Sequence, residues 1–279
     1  MKSYHNYFYV FLLILGYSCA EKTVLEEDIE RSRKIYTEGE KLTQGSIESM
    51  LRLENAIEID PNNCDAVREL SVAYLKRGLA HRWKLQFDKA VECDPNIWQP
   101  MRGYLYLSFY RDYKKAIADF NASDTLTPNF IDAPQGQSVD YWRGMAYLGL
   151  KDYKNSLDFF NKYINTETKE WGEDMVEVTA FLYRGIALFE NLNFELALKD
   201  FDKVLVYNRG NSADAKYYKA LILKDSNPIE AKHILESSIE DFKNSFYNQR
   251  DYVEILKQIY LEDLLLLQQE LKEKINLKS

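Results

Sequence analysis

Apolar residues along this chain recur at steps of three and four. At regular intervals a small residue is followed four positions later by a large apolar one: Ala116 by Phe120, Ser156 by Phe160, Ala197 by Phe201, Ala231 by Leu235. The period is that of an amphipathic helix. The small-then-large pair on one helical face is what two closely approaching helices require, the small residue admitting the neighbour and the ring filling the space beside it. Aligned on the small residue that opens the second helix of each unit, the positions are Ser49, Trp83, Ala116, Ser156, Ala197 and Ala231, separated by 34, 33, 40, 41 and 34 residues. Recurrence at this interval predicts stacked helix–turn–helix units, six in all, with insertions in the two longer steps. Trp83 breaks the small-residue rule, so either that helix pair splays or the register there is shifted.

Helix breakers fall at matching places. Asp60-Pro61, Asp94-Pro95 and Thr127-Pro128 each stop a second helix, since proline lacks the N–H that continuation needs. Ser212 ahead of Ala213-Asp214 reads as an N-cap for the sixth unit, and Asn227-Pro228 restarts its second helix. The residue pattern resembles the tetratricopeptide-repeat family, whose unit carries W-x2-L-G-x2-Y…A-x3-F…P. The second unit keeps Leu70, Tyr74, Phe87, Ala90 and Pro95, the fourth Gly144, Tyr147, Tyr153 and Phe160, and the fifth Phe181, Gly185, Phe194, Ala197 and Phe201. The third keeps Tyr113, Ala116, Phe120 and Pro128, with Gly103 one residue early. The first has Leu53, Ala56 and Pro61, and the sixth Ala231 and Leu235. The resemblance implies an all-α, right-handed superhelical solenoid over 25–245, with units near 30–62, 63–96, 97–130, 137–170, 178–211 and 212–245, followed by a C-terminal capping helix over 246–279.

The insertions are Asn129 to Gln137 and Asn165 to Asp174, the second containing Trp171-Gly172. Inserted loops carry function in some folds and are elaboration in others. From Asp251 to Ile275, apolar Leu256, Ile259, Tyr260, Leu264, Leu267, Leu271 and Ile275 form a helical stripe. It reads either as the cap over the last exposed apolar face or, through Leu264 to Leu267, as a dimerisation helix.

The first twenty residues change the picture from a bare scaffold to an exported one. Lys2, an apolar run from Tyr7 to Gly16, and Ser18-Cys19-Ala20 describe a signal peptide over 1–18, too short to span a bilayer as a permanent helix. Ser18-Cys19 resembles a bacterial lipoprotein box, which implies acylated Cys19 as the mature first residue, a tether over 19–24 and a place in the cell envelope, facing the periplasm or outer membrane. Gly16 and Tyr17 depart from that box, and cleavage after Ala20 is the alternative. With 36 Lys and Arg against 44 Asp and Glu, a formal charge of −8, a nucleic-acid backbone is not the expected partner.

Candidate chemistry is sparse. His81 and His233 stand in different units, neither with a second ligand at helical spacing, and no phosphate loop, nucleophile elbow or Cys-x-x-Cys is present. No enzyme, cofactor or metal is expected. Cys64 and Cys93 sit at opposite ends of one antiparallel helix pair and could pair, although Cys93 also suits an apolar slot, where it would be buried and reduced. The family resemblance implies a concave groove lined by first helices. Its residues here are Arg68, Val72, Lys76, Tyr141, Met145, Leu148, Tyr183, Ile186, Lys216 and Ala220. The Asn residues of the family's carboxylate-gripping set are missing, so that activity is not expected. Two readings stand: a membrane-tethered scaffold that binds protein partners in the groove, or a binding module for a non-protein ligand such as a glycan, using the inserted loops and Trp171.

Overall fold

Side chains that bond the free backbone N–H groups of each first turn set the element boundaries. The computed structural model describes residues 24–277, so the leader and Cys19 lie outside the described residues. Thirteen α-helices follow in order: α1 (Glu26–Glu40), α2 (Ile47–Ile59), α3 (Cys64–Lys76), α4 (Ala80–Cys93), α5 (Pro95–Leu105), α6 (Tyr113–Leu126), α7 (Val139–Gly149), α8 (Tyr153–Trp171), α9 (Val178–Glu190), α10 (Phe194–Tyr207), α11 (Ala213–Leu223), α12 (Pro228–Lys243) and α13 (Leu261–Asn276). Asn63, Asp94, Asp112, Asp152, Ser212 and Asn227 each accept a first-turn N–H. α2, α4 and α6 each end one residue before the expected breakers. Consecutive helices pair as six hairpins, each hairpin stacks on the next, and α13 packs along α12.

One contact recurs inside the hairpins. Gly103, Gly144 and Gly185 lie against the rings of Phe120, Phe160 and Phe201, so close that a methyl on these glycines would sit 2.7, 2.9 and 2.7 Å from ring carbon. The three rings are fully buried, as are Ala116 and Ala197 in the small slot. Where the slot holds serine, its hydroxyl donates to the facing glycine carbonyl: Ser49 to Gly39 at 3.1 Å and Ser156 to Gly144 at 2.8 Å. An arginine precedes each of the three glycines. Arg102 forks onto Asp119 at 2.7 and 2.9 Å, and Arg184 onto Asp200 at 2.6 and 2.8 Å, tying the two helices of a hairpin across the seam. In the fourth unit Phe159 stands where the aspartate would be. The buried guanidinium of Arg143 lies 5.3 Å from that ring and bonds Asp140 at 2.7 Å and Asp124 at 2.5 Å.

Several expectations need correction. Gly103 is one residue early because a π-turn at Tyr106–Tyr110 adds a residue between α5 and its partner. The glycine still meets Phe120. Trp83 is in register and fully buried, and α3 and α4 remain packed. Its large ring is housed by that π-turn, with centroids 5.1 Å from Tyr106 and 4.9 Å from Tyr110. Cys93 is neither buried nor reduced. It sits exposed on the last turn of α4 and is disulfide-bonded to Cys64, with Cα atoms 6.1 Å apart. The apolar slots there belong to Ala90 and Val91. The segment 165–174 is mostly helix, because α8 continues to Trp171. The C-terminal helix does not begin near 246 or 251 but at Leu261, where the Asp263 carboxylate accepts the Tyr260 N–H at 2.8 Å. Residues 244–260 form an irregular strap instead. Tyr252 and Lys257 stand in the left-handed region, with φ of 66° and 58°, which no helix tolerates.

Two outcomes test this packing. Ala197→Leu forces a larger side chain into a filled seam and is expected to cost about 1–3 kcal/mol in denaturant unfolding, whereas neighbouring exposed Leu196→Ala stays within about 0.5 kcal/mol. Equal effects at the two sites would contradict the seam. Replacing Cys64 and Cys93 by serine removes a cross-link that spans 29 residues of chain. The double variant is expected to lose about 3–4 kcal/mol, and an unchanged unfolding midpoint would argue against the bond.

Candidate binding groove

The first helices present one face to the strap. Its floor is built from Tyr104 on α5, Tyr141, Trp142 and Met145 on α7, and Thr179 and Tyr183 on α9. Aromatic edges lock these side chains together: the Tyr104 and Trp142 rings lie 5.0 Å apart, Tyr141 and Trp142 4.8 Å, and Tyr141 and Tyr163 5.5 Å. The Tyr141 hydroxyl bonds the Thr179 hydroxyl at 2.9 Å. Burial pushes the Tyr141 and Tyr183 phenols well above the usual range, so both keep their protons at any physiological pH. The inserted segment 129–137 folds down beside this floor. The Trp142 indole donates to the Pro134 carbonyl at 2.9 Å, and Gln135 edges the cavities described below.

The strap crosses this face out and back. Leaving α12, Phe246 accepts the Ala213 N–H at 2.8 Å, and Asn248 donates its backbone N–H to Asp214 at 2.8 Å and its side-chain amide to the Tyr183 hydroxyl at 3.0 Å. Arg250 reaches Tyr104, its guanidinium 5.4 Å from that ring and 5.9 Å from Trp142, and donates to the Tyr104 hydroxyl at 2.5 Å. The far point is Tyr252, whose ring lies 5.1 Å from the Lys76 ammonium. The return passes Glu254, bonded by Arg111 at 3.2 Å, and Lys257, paired with Glu190, before Ile259 is buried beside α13.

The ten expected groove residues divide. Tyr141, Met145 and Tyr183 line a cavity of about 270 Å³ between floor and strap. Arg68, Val72 and Lys76 line a second of about 310 Å³, where the Arg68 guanidinium lies 5.0 Å over Trp98. The other four do not line a groove. Leu148, Ile186 and Ala220 are 1, 1 and 0 % exposed and belong to the stacked core. Lys216 bonds Ser237 at 2.9 Å and Asp241 at 2.6 Å within the sixth hairpin. Sequence reasoning missed Tyr104, Trp142, Asn248 and Arg250. The Arg250 signal was a polar run, Asn248-Gln249-Arg250-Asp251, that interrupts the apolar period.

The tetratricopeptide-repeat family model matches residues 141–168, which lie within the α7–α8 hairpin. This hairpin matches a tetratricopeptide repeat, and the chain as a whole has the helical-repeat fold of such proteins. Solved structures of like fold include PilW, described as a widely conserved type IV pilus biogenesis factor, at TM-score 0.63 and 12% identity, covering 86% of this chain and 100% of that one. Pseudomonas aeruginosa pilF follows at 0.58 and 17%, covering 79% and 94%. MamA from Desulfovibrio magneticus RS-1 superposes at 0.54 and 19%, covering 66% and 96%. No curated protein matches in sequence. No helix among the described residues of this solenoid is long and apolar enough to cross a membrane.

Asp214, where the strap joins the solenoid, is 2 % exposed, and burial pushes its carboxyl up to about 6 against the opposing bond from Asn248. The folded protein therefore holds this proton more tightly than the unfolded chain. The group's contribution to stability is most favourable below pH 4 and declines as pH rises through about 6. Relative to the parent, Asp214→Asn is expected to gain up to about 3 kcal/mol between pH 4 and pH 7 in denaturant melts. A difference between the two proteins that is constant with pH would contradict the assignment.

Proposed function

We propose that this protein is a non-catalytic scaffold of the bacterial cell envelope, tethered through acylated Cys19, that binds protein partners by taking an extended segment into its concave groove. One observation carries the reading: the groove already holds an irregular stretch of polypeptide, residues 246–256, through ring faces, phenol hydroxyls and Asp214. Hydroxyls, a buried carboxylate and aromatic floors suit the alternating polar and apolar groups of a peptide. The fold shared with PilW, a pilus biogenesis factor, supports an envelope setting. Acyl chains on Cys19 would supply the membrane hold, since two or more chains anchor stably where one does not. The glycan reading rests on Trp171, which is 63 % exposed at the end of α8 and makes no ring contact among the described residues. Phe130 of the first insertion is 67 % exposed as well, but the two rings do not stack on each other, whereas the groove already holds polypeptide, so the protein-binding reading is preferred.

Three measurements test the proposal. Mass spectrometry of the mature N-terminus is expected to find diacyl or triacyl Cys19, and Cys19→Ala is expected to move the protein from the membrane to the soluble fraction; an unmodified terminus would remove the tether. A photo-crosslinking residue in place of Gln135, at the groove edge, is expected to capture one or a few defined envelope proteins in native membranes. Crosslinks to glycan alone, or to no other molecule, would overturn partner binding through this face.

A further inference from the structure

The strap is held loosely for a segment that fills a functional groove. From Ser245 to Gln258 not one residue is buried, and Arg250 itself is exposed. Three non-glycine residues in this stretch, Ser245, Tyr252 and Lys257, stand at φ of 64°, 66° and 58°, conformations that ordinary side chains disfavour. The cavities of about 270 and 310 Å³ remain between strap and floor, so the fit is incomplete. The contacts that hold it are mostly polar, Asn248 with Tyr183, Arg250 with Tyr104, Arg111 with Glu254 and Lys257 with Glu190, with Leu256 half-buried against the core and Tyr247 stacked on Phe242. Both ends of the strap are anchored at the same place, because α13 packs on α12 independently of the groove. The hairpins themselves pair and stack through contacts between their own helices. Arg250 is the strap's one cation over the aromatic floor. Two rings and a phenol hold it, and among the described residues no carboxylate neutralises it. An aromatic pair without a counter-ion attracts any guanidinium presented to it, whichever chain carries it.

We infer that residues 245–258 are a displaceable occupant of the groove, and that the partner is an extended peptide whose arginine replaces Arg250 against Tyr104 and Trp142. The inference rests on the proposed groove function and specifies its ligand: a cationic, aromatic-flanked segment that competes with the strap. Partner binding and strap release are then one equilibrium, and the strap lowers apparent affinity for every ligand by the closed fraction.

The test uses a fluorescein-labelled peptide of residues 245–258 and the full chain in which 246–257 is replaced by a Gly-Ser linker of equal length. By anisotropy, the peptide is expected to bind the linker variant at least ten-fold tighter than the parent, and the same peptide with Arg250→Ala at least ten-fold weaker than the unaltered peptide. Arg250→Ala in the otherwise intact chain is expected to tighten peptide binding by weakening the strap alone. A linker variant with native helical circular dichroism that binds the peptide no better than the parent would overturn displacement, and equal binding of the two peptides would overturn the arginine assignment. A linker variant that fails to fold would make the strap a structural element and also overturn the inference. None of these failures touches partner capture by the Gln135 crosslinker. Conversely, peptide binding without any captured protein would leave strap displacement standing and defeat the proposed function.

Discussion

Three of the six hairpins, the third to the fifth, are closed by a ring pressed onto the backbone of the facing helix. Phe120, Phe160 and Phe201 lie where a single methyl on Gly103, Gly144 or Gly185 would collide with them. This contact sets the distance between the two helices of a unit, and therefore the distance at which the next unit can stack. The forked pairs Arg102–Asp119 and Arg184–Asp200 sit one residue before these contacts on both helices and fix the rotation of one helix against the other. Where the seam is broken by a large residue, the chain absorbs the volume next door. Trp83 is accommodated by the extra residue of the π-turn, which also restores the register of Gly103.

With the seam fixed, the first helices are held in a row and their remaining faces form the groove. The aromatic floor is rigid because its rings pack edge to face and its phenols stay protonated. The strap has the opposite character: exposed, strained at three positions and bonded mainly by polar tips. The two meet at Tyr183 and Tyr104, and the buried Asp214 on α11 holds the near end of the strap by accepting the Asn248 N–H. A rigid face covered by a loosely held segment of the same chain separates what recognises a ligand from what controls access to it.

The repeat fold was legible because steric closure demands a residue type at a fixed spacing, and Ala116, Ser156, Ala197 and Ala231 obey it. The Arg-Gly pairs at 102–103, 143–144 and 184–185, and the Asp-Phe pairs at 119–120 and 200–201, carried a second periodic signal that marks the inter-helix ion pairs. The face was legible in part: helical period picked out Tyr141, Met145 and Tyr183, which line the cavity beneath the strap, together with Leu148 and Ile186, which are buried in the stacked core. The strap was not legible. Its contacts join residues as far apart as Tyr104 and Arg250, 146 positions in sequence, and depend on single polar tips without period. The apolar Leu256 and Ile259 mimicked a helical stripe while serving the groove and the final core instead. Cys93 was misread for a related reason, since spacing placed it near Cys64 but could not say that its side chain faces away from the core.

Segment-resolved native-state hydrogen exchange tests the account most directly. The Ala213 N–H is bonded to the strap carbonyl of Phe246, and the Asn248 N–H to Asp214, so both report strap release without unfolding of a helix. Both amides are expected to exchange through a local opening several kcal/mol below the free energy that protects the interior of α9, and to be insensitive to low denaturant. Exchange of these two amides together with α9, at the global unfolding free energy and with the same denaturant dependence, would contradict a groove covered by a releasable strap.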